Sequence, residues 1–263
     1  DLSGALSDYM AALRLEPGDQ QLITNIFVVR ERLKGGGVLD EDLHNIEEQQ
    51  YFCSVSSLFQ GLLLQEFGEV VESIEILDEK IGLDPKDYLA YSARGIAYLR
   101  QGEYDQAIED CSEAIRLCSD EPMLYYRRAR AYFLAEKYDQ AVADFDQALQ
   151  LDDSQKTYFL ERGITHFMRY EYELALEDFA NTLNLDVGLW RAYYYSGLIR
   201  SDRGEFERAV LDFNHALMWG GRENADVLLF RGYVLSKLGE YRSALYDLNK
   251  AAENGNKTVD LYI

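Results

Sequence analysis

Between residues 88 and 118 the apolar side chains step at three and four: Tyr91, Gly95 and Tyr98, then Tyr104, Ala107, Ile108, Cys111, Ala114 and Ile115. This is the spacing of a helix face and not the alternation of a half-buried strand. The glycine in Gln101-Gly102-Glu103, with counterparts in Asp202-Arg203-Gly204-Glu205 and Leu238-Gly239-Glu240, supplies the left-handed conformation that ends one helix and reverses the chain. The pattern therefore predicts helices in pairs, and the pairs recur. Ala107, Ala141, Ala175, Ala209 and Ala244 are 34, 34, 34 and 35 residues apart. Tyr104, Tyr138, Tyr172, Phe206 and Tyr241 precede them by three, and Asp110, Asp144, Asp178, Asp212 and Asp247 follow them by three. Gly61, Gly95, Gly163, Gly197 and Gly232 keep the same ruler. Glycine at the eighth place of a unit and alanine at the twentieth let the two helices approach closely, while Phe145, Phe179 and Phe213 fill the space between hairpins. One hairpin cannot bury its apolar face alone, so the expectation is an all-α solenoid in which neighbours bury it for each other.

The run Tyr91-x-x-Arg94-Gly95-x-x-Tyr98, then Gly102-x-Tyr104-x-x-Ala107-Ile108-x-x-Cys111-x-x-Ala114, resembles the tetratricopeptide repeat. The resemblance covers units 88–121, 122–155, 156–189, 190–224 and 225–258, with Ala129 replacing the glycine of the second and Thr182 an alanine of the third. Unit 190–224 has a one-residue insertion, placed within Trp219–Asn224. Unit 54–87 keeps Gly61, Gly68 and Asp84-Pro85 but has Ser73 and Lys80 at small-residue places, and 20–53 is more degenerate, with Gly35-Gly36-Gly37 at the turn. Residues 1–19 put Ala5, Tyr9, Ala12 and Pro17 on second-helix columns, so they read as the second helix of a truncated unit, and 259–263 as the start of a further one. The expectation is an excerpt from a longer protein. The resemblance implies a right-handed superhelical solenoid of antiparallel helix hairpins.

Charge narrows the partners. Twenty-six Lys and Arg against 47 Asp and Glu leave −21, the wrong sign for a general grip on nucleic acid or on an anionic membrane. Cys53, Cys111 and Cys118 form no CxxC, and His44, His166 and His215 have no second ligand near in sequence, so no metal site is expected. No phosphate-cradling glycine motif, nucleophile elbow or HExxH is present, and paired carboxylates such as Glu109-Asp110 and Glu177-Asp178 read as a solvated acidic face. His166 falls on a core-facing column, His215 on an exposed one, and Cys111 serves as a small hydrophobe. Arg94, Arg128, Arg162 and Arg231 recur with the aspartate column, a repetition that suits an architectural ion pair, and Ser196 breaks the series. No apolar run reaches the length of a bilayer span, and the expectation is an intracellular, cytoplasmic chain with no cofactor and no catalytic residues.

In the family, ligands lie against the first helices, at the second, fifth, sixth, ninth, twelfth and thirteenth places of a unit. Carried onto this sequence, those places give a protein-binding groove of Tyr126, Arg127, Arg130, Phe133, Leu160, Ile164, Phe167, Arg191, Tyr194, Tyr195 and Leu198, with Glu161 and Asp202 as its acids. Apolar and aromatic surface flanked by arginine is a protein-binding composition. The implied function is a non-enzymatic scaffold or adaptor within a multiprotein complex, holding a peptide, helix or loop of a partner protein, apolar with some acidic groups. Ser92 and Ile96, then Arg127, then Thr157 and Glu161 stand where the family's clamp for chaperone C-terminal tails has Lys and Asn, then Asn, then Lys and Arg, which disfavours that ligand. The alternative is the regulatory or substrate-selecting arm of a larger enzyme.

Overall fold

A computed structural model describes residues 70–220 and 224–255. The expectations for 1–19, 20–53, the stretch 54–69 of unit 54–87 and 259–263 lie outside them. Eleven helices and no strand occur among the described residues, and the all-α expectation holds. The chain divides into two compact units, 1–97 and 98–263.

In the first unit, α1 (Val70–Leu83) precedes the start of α2 (Tyr88–Gln101). Asp84 Oδ1 accepts the Lys86 N–H at 3.0 Å, and Asp87 Oδ1 caps α2 by accepting the Ala90 N–H at 3.0 Å. Lys80, which breaks the small-residue pattern, is buried with its ammonium 2.9 Å from that same Asp87, so its charge is matched where alanine would have needed none.

The second unit continues with α3 (Tyr104–Leu117), α4 (Pro122–Leu134), α5 (Tyr138–Leu151), α6 (Lys156–Met168), α7 (Tyr172–Leu185), α8 (Trp190–Asp202), α9 (Phe206–Trp219), α10 (Ala225–Lys237) and α11 (Tyr241–Asn254). From α4 onward they pair as hairpins, α4 on α5, α6 on α7, α8 on α9 and α10 on α11, and each first helix also packs on the second helix before it. Polar side chains cap two of these helices. Pro122 opens α4 behind Glu121, whose carboxylate accepts the Met123 N–H, and Asn224 Oδ1 accepts the Val227 N–H at 3.2 Å. Between hairpins, Asp152 and Asp186 each fold back onto the backbone N–H two residues on, at 2.9 and 2.8 Å.

Close approach sets the core. Ala141, Ala175 and Ala209 have no exposed surface, and a Cβ added at Gly163 would meet Phe179 Cε1 at 2.8 Å. At Gly197 the corresponding distance, to Phe213 Cε1, would be 2.7 Å. The glycines thus make room for the phenylalanine column, which is buried throughout. The turns inside hairpins place Gly204 and Gly239 at φ 75° and 79°, and the same turn in two other hairpins puts Glu136 and Tyr170 at 58° and 60°.

Candidate functional site

The first helices α4, α6, α8 and α10 touch in sequence, so their outward residues form one face along the second unit. The eleven groove residues divide on it. Leu160 and Ile164 are only 3% exposed and pack with Ala175, Phe179, Ala192 and Ile199, so they shape the face from beneath. Tyr126, Phe133, Phe167, Tyr194, Tyr195 and Leu198 are half-buried. Their rings join neighbouring hairpins. Tyr126 lies 4.9 Å from Tyr158, Tyr195 stacks on Phe179 at 5.8 Å and meets Phe167 edge-on at 5.2 Å, and Tyr194 meets Phe230 at 5.9 Å. Such contacts hold the array together as well as presenting surface.

The arginines differ from one another. Arg130 is exposed, with its guanidinium over the Tyr126 ring at 5.9 Å. Arg191 reaches Glu161 on the preceding first helix at 3.2 Å, so two of the expected groove charges neutralise each other. Arg127 is half-buried, and burial pulls its pKa below the usual arginine value. Burial likewise raises the Tyr126 hydroxyl and pushes that of Tyr158 up to about 12, so both phenols stay neutral hydrogen-bonding groups at physiological pH.

Where α8 meets α10 the face opens into a cleft of about 850 Å³. Leu198, Phe206, Leu229, Phe230, Tyr233 and Leu248 make it mostly apolar, with Ser201, Asp202, Ser236 and Lys237 at its polar parts. Lys237 sits over the Tyr233 ring at 5.0 Å. Tyr233 itself is 49% exposed, unlike the aromatic residues held between hairpins. Leu229, Phe230, Tyr233, Ser236 and Lys237 are missing from the sequence-derived groove although they occupy its fifth, sixth, ninth, twelfth and thirteenth places in unit 225–258. Extending the register by one unit finds them.

Residues 88–121 and 122–155 match the family model described as Tetratricopeptide repeat. These two units are similar to tetratricopeptide repeats. The fold of the chain recurs in MamA, at 22% identity and TM-score 0.57 over 62% of this chain and 95% of that one. YrrB, described as a TPR protein with an unusual peptide-binding site, is 20% identical with TM-score 0.56 over 69% and 93%. PilW, a type IV pilus biogenesis factor, is 19% identical with TM-score 0.71 over 79% and 96%. No curated protein sequence matches the chain.

The hairpins of the second unit are also closed by arginine forks. Arg128 gives Asp144 two bonds of 2.7 and 2.8 Å, Arg162 gives Asp178 two of 2.9 and 2.6 Å, and Arg231 gives Asp247 two of 2.7 Å. Each fork lies within a hairpin, as the recurrent Arg and Asp columns led us to expect. A third bond, which they did not reveal, runs from the same guanidinium to the preceding hairpin: Arg128 to Ser112 at 3.1 Å, Arg162 to Asp146 at 2.6 Å, and Arg231 to Asn214 at 2.7 Å. In the first unit Arg94 reaches Asp78 over the same sixteen residues, at 2.5 Å. Burial raises the pKa of Asp178 and Asp212, with Arg162 and Arg200 respectively pulling the other way. His166 is buried in the expected sense, its Nδ1 2.7 Å from Glu171 Oε2. Among the described residues no cluster of three or more His, Cys, Asp or Glu is placed to hold a metal, and no helix is long and apolar enough to cross a membrane.

Proposed function

We propose that this protein is a non-enzymatic scaffold or adaptor that holds a segment of a partner protein along the first-helix face, as one component of a cytoplasmic multiprotein assembly. The observation that carries the proposal is the half-open apolar cleft between α8 and α10, continuous with the face that bears Arg127, Arg130 and Arg191. A cleft of this size accepts a bulky apolar side chain, and Tyr and Arg at its margins are the residue types that dominate binding energies. YrrB, a tetratricopeptide protein with a peptide-binding site, supports the choice of a protein segment as ligand. The partner segment is a peptide, helix or loop with an apolar anchor and some acidic groups, which meet Arg130 and Lys237. Tyr126, Phe133, Leu160, Ile164, Phe167, Tyr194, Tyr195 and Leu198 set the shape of the face more than its accessible chemistry.

The test is affinity capture on the immobilised full chain, with mass spectrometry of what is retained. Tyr233→Ala with Arg130→Ala removes exposed groups from the face, and either loss of a binding anchor costs about 2 kcal/mol, roughly thirtyfold in affinity. A genuine partner is lost with that variant and weakens as salt rises. If charge reversal at Glu109 and Glu177 on the second helices abolishes capture while Tyr233→Ala with Arg130→Ala retains it, the binding face is the acidic one.

A further inference from the structure

The arginine bond between hairpins is present at α3/α4, α5/α6 and α9/α10, and it is interrupted at α7/α8. There the arginine column holds Ser196, and the place of Ser112, Asp146 and Asn214 is taken by Ala180, whose methyl group accepts nothing. Both halves of the bond are missing together. Asp212, deprived of its column partner, instead receives Arg200 from one turn further along α8, so the hairpin α8/α9 is still closed within itself. α8 also packs less extensively on α7 than α4 does on α3, α6 on α5 or α10 on α9, while its contact with α6 is the most extensive between successive first helices. Apart from the buried apolar cluster in which Ala192 and Ile199 of α8 pack with Ala175 and Phe179 of α7, what crosses this junction lies toward the first-helix face or at the hairpin ends. Tyr195 packs on Phe167 and Phe179, Arg191 pairs with Glu161, and Arg203 reaches Glu173 at 2.6 Å through largely exposed groups.

We propose that the α7/α8 junction is a hinge. The hairpins on either side pivot about the aromatic contacts of Tyr195 and open and close on the second-helix side, where the guanidinium latch is lacking. Packed helices respond to such a local difference by discrete rocking, not by uniform bending. The pivot divides the first-helix face between Arg127 and Arg130 on one side and the α8/α10 cleft on the other, so rocking changes the separation of the two halves.

Pulsed electron paramagnetic resonance tests this on the full chain, with bio-orthogonal nitroxides that leave the native cysteines alone. One label pair replaces Gln106 and Leu174, the other Gln140 and Arg208; all four positions are exposed and occupy the same place in their units. Each pair spans two junctions, but only the second spans α7/α8. The expected result is a broader distance distribution for Gln140/Arg208, narrowing to the width of the first pair in the variant Ala180→Asp with Ser196→Arg. Asp146→Ala, which removes the inter-hairpin bond at α5/α6 from an exposed site, should broaden the Gln106/Leu174 distribution and so provides a readout that does not depend on the double variant folding. Equal widths for the two pairs in the unmodified chain, or no broadening by Asp146→Ala, would overturn the hinge.

Discussion

Replacing Arg162 with Met removes three hydrogen bonds and leaves the Asp178 carboxylate 2% exposed, with His166 Nε2 at 4.0 Å as a neighbouring nitrogen. Removing one member of a buried pair typically costs 3–5 kcal/mol, and the arginine side of this pair is partly solvated, so we expect about 3 kcal/mol at pH 7. The loss depends on pH. Burial already holds the Asp178 pKa above the ordinary carboxylate value and Arg162 pulls it down, so the variant raises it further. A carboxylate whose folded pKa exceeds its unfolded one contributes its stability at low pH and loses it as pH rises through the folded value. The gap between the variant and the unmodified protein should therefore narrow from pH 7 to pH 5. Urea unfolding followed by circular dichroism at both pH values measures it, and fluorescence adds a local probe because both tryptophans, Trp190 and Trp219, sit in the α8/α9 hairpin. Adding Asp178→Asn removes the stranded charge at nearly constant shape and should recover part of the loss. A gap that is the same at pH 7 and pH 5, with no recovery from Asp178→Asn, would refute an uncompensated carboxylate as the cause.

Ala175→Leu puts a larger side chain where α6 and α7 touch and should cost about 1–3 kcal/mol in thermal or urea unfolding, whereas His215→Ala at an exposed position should change stability by less than about 0.5 kcal/mol. Glu136 occupies the left-handed turn position that Gly204 and Gly239 fill in other hairpins. Glu136→Gly should raise the melting temperature, by about 0.5–1 kcal/mol in stability, because the relief of the Cβ clash exceeds the added unfolded-state freedom of glycine. Burial pushes the Cys111 thiol from 9.0 up to about 12, so iodoacetamide at pH 8 should label Cys118 well before Cys111 in peptide mapping. The stability tied to the neutral Cys111 thiol is full below pH 9 and declines as pH rises towards 12, which alkaline unfolding checks.

The fold was legible because its determinants are local and repeated. Helical spacing, the turn glycines and the alanine column each state one requirement of a hairpin, and the requirement is the same in every hairpin. The Arg128–Asp144, Arg162–Asp178 and Arg231–Asp247 forks were legible for the same reason, since both partners recur at a constant offset. The third bond of each fork was not. Its acceptor changes from Ser112 to Asp146 to Asn214, and only the stacking of one hairpin on the next shows that these different residues do one job. The face was half legible. Register located Arg130 and Arg191 on first helices, but pairing of Arg191 with Glu161 depends on the distance between those helices, which no spacing within a helix supplies. The cleft at α8/α10 needed the three-dimensional gap between two hairpins to be seen.

Because each guanidinium takes its third acceptor from the hairpin before it, the repeats are not interchangeable modules. A tandem duplication of residues 156–189 would place the copied Arg162 after Ala180 instead of after Asp146, and the new seam would be joined without its polar bond although every residue of the duplicated stretch was native. Moving residues 190–224 elsewhere would carry Ser196 with them and leave an acceptor such as Asp146 facing a hydroxyl too short to reach it as arginine does. Sequence change in this array is thereby constrained in pairs that straddle unit boundaries, and the order of its hairpins is itself inherited information.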